Sequence, residues 1–305
     1  MTGALPASGV EVVEYTDPMC PWAWGSEPVF RALRAALGGR VRWRRVYAIL
    51  FDHDDDPPPD PSAETAWYAR HVAEIGVHTR APYAVRLSRV AVSSWPSSLV
   101  AKAAERQGAD VADRVLRRLR ESVFVVGEPA DTEGGALAAV RGVPGLDAER
   151  LRSDAASDSV LDAVRADRAE ARRPVREVLS VAEDSPHPGL AKETAEGAVR
   201  YALPTLLVRS PAGHRAVPGW RSFAAGARAL DALCPGVVAD GPRLPPGEAL
   251  ERLRSLTGPE AELLVEGGRP PSYAVRVDTA NGPLWLHPEE AAVRSDSIRR
   301  AVSGL

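Results

Sequence analysis

Residues 10–47 constrain this chain more tightly than any other stretch, because they order three elements with almost no slack between them. Val10 to Tyr15 ("VEVVEY") is a short β-branched run that stops at Thr16-Asp17-Pro18, so it reads as a buried strand feeding a turn. "EPVFRALRAALGG" then spaces Val29, Phe30, Leu33 and Leu37 on one helical face, and Gly38 and Gly39 supply the C-cap. A second strand follows in "VRWRRVYAIL" from Val41. Strand, helix and strand with short connections make a βαβ unit, and such crossovers are right-handed.

Downstream, "FDHDDDPPPDPS" (Phe51 to Ser62) breaks the pattern as an acidic, proline-rich loop. Its aspartates and His53 are of the right chemistry for a hard cation. So flexible a run lacks the fixed geometry a metal site requires, and no metal is expected. From Ala63 to about Asp184 the text is mainly helical; in "ADVADRVLRRLRESVFVV", for example, Val111, Val115, Leu119 and Val123 share a face. Pro174 and "EDSPHPG" punctuate its end. Strand signals return in "RYALPTLLVRS", where Pro204 deletes a ladder hydrogen bond and implies an edge, a bulge or a cis peptide. "GHRAVPGW" reads as the second arm of a hairpin, and "RSFAAGARALDAL" as a closing helix carrying Cys234.

The order is therefore βαβ, a helical block, then ββα. This is an α/β fold in which a small sheet (9–60 and 190–235) is interrupted by an inserted helical subdomain (61–189). Beyond a linker-like "PGVVADGPRLPPGE", residues 245–305 form a small C-terminal α+β appendage. Its helix "GEALERLRSL", strands "SYAVRVD" and "PLWLHP" and final helix from Glu289 suggest a winged-helix-like unit, or simply a packing or dimerisation element.

Composition removes several classes of function. Of 305 residues, 45% are apolar and 26% charged, as in ordinary globular proteins. A net charge of −3 and a pI near 6.1 give no bulk drive towards nucleic acid or anionic membrane. The chain has no apolar run of the roughly 18 residues a membrane span needs. "MTGALPASGVEVVEY" lacks a basic n-region, so no signal peptide is expected. With Cys20 and Cys234 alone, a disulfide framework is excluded, and cytoplasmic residence is the simplest reading. Arginine is abundant and lysine scarce, so a run such as "RRLR" (Arg117 to Arg120) needs no ligand to explain it.

Cys20 carries the chemistry. It sits directly after a strand and turn and directly before a helix, where free N–H groups and the peptide dipoles stabilise a thiolate. Pro21 suits the first helical turn, because its missing N–H costs nothing there. The placement predicts a lowered thiol pKa and a reactive nucleophile; the competing reading is a small buried apolar cysteine. Asp17 is expected to cap the turn, and Glu27 to lie in the first turn of the helix. His187 and His214 fall in loop contexts that leave their distance from Cys20 open.

"DPMCPWAWGSEP" resembles the active-site segment of DsbA-like thioredoxin-fold proteins, most closely the cytoplasmic branch with C-P-W-C-W-G. That branch includes the FrnE-type proteins of polyketide clusters and the adaptor of the ClpXP protease. The similarity continues in "SSLVAKAAERQG" and "VLRRLRESVF", then in "RYALPTLLV" and "VPGWRSF", and covers roughly residues 10–234. It implies a thioredoxin-like fold, Cys20 as nucleophile and Pro204 as cis-proline. The backbone of Leu203 would pair with a bound thiol or peptide as an added strand, and Pro21, Trp22, Ala23 and Trp24 would border the site. One tryptophan would line the groove and the other would be buried.

Ala23 departs from that pattern, since it stands where the branch has its resolving cysteine. Dithiol exchange needs that second sulfur. The resemblance then implies a monothiol oxidoreductase, or a transferase or isomerase like the related kappa-class glutathione transferases and chromene-carboxylate isomerases. It would have no tightly bound cofactor, and a low-molecular-weight thiol would serve as co-substrate. The alternative is a non-catalytic binding or adaptor protein. Expected partners are a small thiol or a peptide or protein substrate, with a homodimer left open.

Overall fold

A computed structural model describes residues 9–52, 60–181, 184–194, 197–239, 243–295 and 298. Strand β1 (Glu11–Thr16) runs into α1 (Pro21–Leu37) and returns as β2 (Arg42–Tyr47). The insertion follows as α2 (Pro61–Thr79), α3 (Trp95–Ala104), α4 (Ala109–Glu121), α5 (Glu133–Ala139), α6 (Ala148–Ala155) and α7 (Asp158–Ala171). A two-strand ribbon, β3 (Lys192–Glu193) and β4 (Val199–Arg200), precedes the hairpin β5 (Thr205–Ser210) and β6 (Gly213–Pro218), which α8 (Phe223–Asp231) closes. The tail comprises α9 (Pro246–Leu253), β7 (Ser255–Thr257), α10 (Gly258–Leu264), β8 (Val275–Val277), β9 (Leu284–Leu286) and α11 (Pro288–Val293). Residues 53–59, which hold most of the acidic loop, lie outside the described residues.

The central sheet has the order β2-β1-β5-β6. β1 and β2 are parallel, as the intervening helix requires, whereas β1–β5 and β5–β6 are antiparallel. Alternation sorts the side chains. Val12, Leu206 and Val208 pack with Phe30, Leu33 and Leu37 of α1 and Leu230 of α8. Val13, Tyr15 and Leu207 pack on the other side with Ala171, Val178 and Tyr201. Leu33 is fully buried, and removing a side chain of that kind from water contributes about 1.5–3 kcal/mol. The α4 stripe of Val111, Val115 and Leu119, continued by Val123, lies in a third core with Met19 and Trp24.

Three sequence expectations need correction. Glu27 is not in the first turn of α1, because the helix begins at Pro21; it is buried among Arg31, Arg34 and Arg120. Those cations hold its carboxyl far below the usual range against the cost of burial. Cys234 lies beyond the end of α8 rather than within it. Finally, the tail contains β7 and α10 in addition to the expected helices and strands, and these two elements tie it to the rest. The tail sheet has the order β7-β9-β8. Its Val277, Leu284 and Leu286 share the core of Met19, Trp24 and Leu119.

Charge reinforces that junction. Glu260 caps α10 with Thr257 and also accepts from Arg31 of α1 (3.1 Å) and Arg117 of α4 (2.8 and 3.0 Å). All three side chains are buried. Removing one partner of such a cluster leaves an uncompensated charge in a low dielectric, which is far costlier than losing a surface pair.

Candidate thiol site

The site begins where β1 stops. The Cys20 N–H donates to the Asp17 carbonyl at 3.2 Å, closing the turn that aims Cys20 at the N-terminus of α1. The Asp17 carboxylate is wholly buried and shared three ways: Oδ1 accepts from the Met19 N–H (2.8 Å) and the Ser94 hydroxyl (2.9 Å), and Oδ2 accepts from the Leu50 N–H (2.8 Å). It therefore holds the turn, the strand end after β2 and the start of α3 in one knot. Burial nevertheless pushes its pKa up to about 6, because these bonds offset only part of the lost hydration.

Cys20 is the N-cap residue of α1 and is 4% exposed. Its thiol donates to the Leu203 carbonyl at 3.6 Å. The Leu203–Pro204 peptide bond is cis, and the Pro204 carbonyl accepts from the Gly219 N–H at 2.8 Å. The lowered thiol pKa expected from helix placement is overturned in this state. Burial, followed by the Asp17 charge, pushes the thiol up to about 11. The Ala23 and Trp22 N–H groups and the Arg200 cation pull the other way and lose.

Leu203 carries a second donor. The Nε2 of His187 lies 2.8 Å from the same carbonyl oxygen. Burial drives the His187 pKa down to about 4, so the ring is neutral near pH 7. Since a carbonyl only accepts, the proton is on Nε2. The imidazole also stacks on Trp22, with ring centroids 4.8 Å apart and planes 16° from parallel. Trp22 is half-buried, with Trp220 and His78 also around it at 6.4 and 6.3 Å.

Of the residues singled out in the sequence, Cys20 meets Leu203 directly, Pro204 follows in the same loop, and Pro21 and Trp22 form the first helical turn beside the sulfur. Trp24 points away: it is buried, donates to the Pro82 carbonyl at 2.8 Å and lies against Arg117 and Phe124. Ala23 is fully buried and brings no second sulfur. Cys234 packs with the α1–α8 side of the sheet, whereas Cys20 belongs to the core on the other side, and both thiols are free. His214 pairs with exposed Glu177 instead of approaching the thiol. Among the described residues, no cluster of His, Cys, Asp and Glu is arranged to hold a metal, and no helix is long and apolar enough to cross a membrane.

Sequence reasoning missed Arg200, Ser94, Tyr68 and the place of His187. Arg200 is a half-buried cation whose charge acts on both Cys20 and Asp17, with its Nη1 donating to the Tyr201 carbonyl at 2.9 Å. Tyr68 of α2 donates to the Met19 carbonyl at 3.2 Å, next to the thiol. For His187 a signal existed: a histidine between two prolines and before a glycine marks a stiff turn that presents its side chain.

A family model described as Thioredoxin matches residues 14–173. The ClpXP adapter protein SpxH of Shouchella clausii is 30% identical over 167 residues, 54% of this chain and 54% of its own length. The protein of the same name from Bacillus subtilis is 25% identical over 162 residues, 53% of this chain and 54% of its own. The chain thus spans about half the length of these curated relatives. Among solved structures, a candidate protein disulfide isomerase from Nitrosomonas europaea superposes with a TM-score of 0.57 at 15% identity, covering 73% of this chain and 96% of that one. At that identity the likeness speaks for the fold.

Proposed function

This chain belongs to the DsbA-like thioredoxin family, and from that premise we propose that it is a monothiol exchange protein acting through Cys20. The observation that carries the reading is the position of the sulfur. It lies at the N-cap of α1 against the Leu203 carbonyl, bordered by helix N–H groups and Arg200, with Ala23 where a resolving sulfur would stand.

The chemistry follows from having one sulfur. The Cys20 thiolate, a minor form near pH 7 because burial pushes the thiol up to about 11, attacks a disulfide R–S–S–R′ after losing its proton to solvent, forming Cys20–S–S–R and releasing R′–S⁻ with the bonding electron pair. A second thiolate, R″–S⁻, then attacks the R sulfur, forming R–S–S–R″ and returning Cys20 as thiolate. Net oxidation state is conserved, and the low-molecular-weight thiol R″–SH replaces the missing cysteine. Cys234 does not serve, because it belongs to the opposite side of the sheet. This reading puts the chain in the cytoplasm, where small thiols are abundant and reduced.

A second reading is a protein-binding adaptor, favoured by the SpxH relatives and by the burial of Cys20. Incubation with a small symmetrical disulfide and a small thiol separates the two. Steady turnover by wild type, with a mixed-disulfide mass on Cys20 and none on Cys20→Ser, supports exchange. No turnover, together with a protein partner held equally by wild type and Cys20→Ser, supports the adaptor.

A further inference from the structure

The loop that follows α2 presents three successive carbonyls, and each accepts from a distant part of the chain. Ala81 O accepts from Asn281 Nδ2 (2.8 Å), Pro82 O from Trp24 Nε1 (2.8 Å) and Tyr83 O from the Ala280 N–H (2.9 Å). Asn281 Nδ2 also donates to the Gly76 carbonyl at 3.0 Å, in the last turn of α2, so one side-chain amide of the tail closes the end of that helix. Because carbonyls only accept, the amide nitrogen is the atom turned towards α2. Arg80, the C-cap residue of α2, adds a two-pronged pair with Glu262 of α10 (2.8 and 2.6 Å). Asn281 lies in the connection between β8 and β9, so the tail grips α2 with two of its elements.

α2 in turn covers the nucleophile. The buried Tyr68 hydroxyl bonds the Met19 carbonyl, one residue before Cys20, and burial and then the Cys20 charge push the Tyr68 pKa up. Of the 19 residues of α2, four are buried: Tyr68, Ile75, Gly76 and Thr79. So thin a stripe holds a helix weakly by apolar burial, and the bonds at its C-terminal end carry a larger share. That end is closely fitted, since a Cβ on Gly25 of α1 would stand 2.4 Å from Thr79 Cγ2. We propose that Asn281 is a positioning residue of the thiol site: through it the C-terminal tail braces α2 over Cys20. Loosening the grip lets α2 lift, draws Tyr68 off Met19 and opens the sulfur to solvent. Trp24 belongs to the same device, because its indole N–H fastens the middle of the three carbonyls. The brace rests on the thiol-exchange reading for its purpose alone, since the cover over Cys20 exists whatever the sulfur does.

Alkylation of Cys20 by iodoacetamide at pH 8 tests this in wild type, Asn281→Ala and Asn281→Asp, with Cys234 alkylation as the internal control. Both variants remove the N–H donors, and the aspartate does so at constant size. Each should speed Cys20 about tenfold, the weight of one to two hydrogen bonds on the closed state, while Cys234 stays unchanged. The pH at which the Cys20 rate inflects should also fall below that of wild type, because a rehydrated thiol gives up its proton more readily. The groups that act on the thiol (Asp17, Arg200 and Tyr68) and His187, which shares the Leu203 carbonyl with it, are all retained in the variants. Hydrogen exchange should place the loosening in the amides of residues 72–79 and leave β1 and β5 as protected as in wild type. An unchanged Cys20 rate or inflection overturns the proposal. So does a parallel rise at Cys234 and in β1, which marks a loss of global stability. Failure of turnover with a small thiol defeats the exchange reading alone, because none of these measurements requires turnover.

Discussion

Asp17 and Ser94 meet at 2.9 Å, hydroxyl to carboxylate, in a fully buried pocket directly behind the nucleophile's turn. Asp17 directly follows the first strand of the sheet and Ser94 is the N-cap residue of α3 of the insertion, so one hydrogen bond joins the two halves of the site. Because Asp17 also raises the thiol pKa, that contact links the packing of the insertion to the chemistry of Cys20.

Asp17→Asn tests the link through stability. A carboxyl raised to about 6 holds a proton in the folded state that the unfolded chain releases near pH 4. Its contribution is full below pH 4 and lost as pH rises through 6. Denaturation of wild type and variant at pH 4 and pH 7 should show wild type losing about 2 kcal/mol relative to the variant. A difference that does not change with pH would contradict the buried, raised carboxyl.

The same variant should move Cys20. In wild type the alkylation rate should inflect near 11, above the roughly 8.5 of a free cysteine, because burial outweighs the helix N–H groups and Arg200. Removing the Asp17 charge should shift the inflection downwards. A wild-type inflection below about 8 would instead mean that the helix terminus and Arg200 dominate.

Ala23→Cys restores a second sulfur one helical turn from Cys20. The introduced thiol should form a disulfide with Cys20 and confer reduction of insulin by a dithiol, neither of which wild type should show. Absence of both in a folded variant would place the defect in the scaffold rather than in the alanine.

Glu260→Ala should cost about 3 kcal/mol, since it removes the carboxylate shared by the buried guanidiniums of Arg31 and Arg117, leaving them only Glu27 and Glu121, and breaks the side-chain half of the α10 capping box. Urea denaturation measures the loss. Limited proteolysis should then cut between residues 236 and 246 faster than in wild type. A loss under about 1 kcal/mol, the scale of a surface pair, would mean that the apolar contacts of Val277, Leu284 and Leu286 hold the tail unaided.

What can be read from the sequence is whatever neighbouring residues decide. The strand, turn and helix around Cys20 follow from β-branching, Asp17-Pro18 and Pro21, and the α4 stripe follows from spacing alone. The Thr257-x-x-Glu260 capping box is equally local, and it is the signal that would have located α10. The thiol pKa escapes such reading for a physical reason. The helix terminus is local, but the groups that bury Cys20 come from α2 and from the loop 183 positions away. Arg31 and Glu260 likewise look like solvated surface until the fold brings them together across a separation of 229 positions.

The tail's attachment has a consequence for dissecting the molecule. α1 starts at the nucleophile and gives Arg31, further along its length, to Glu260, so the same helix serves both site and tail. A short connection from α8 to α9 keeps the tail at high effective concentration over its docking surface, and any detachment is brief. Supplied as a separate chain, the tail would lose that advantage and bind only as strongly as its interface allows. A core cut at residue 235 would carry the Arg31–Arg117 pair as like charges without the Glu260 counterion, directly behind the helix that presents Cys20.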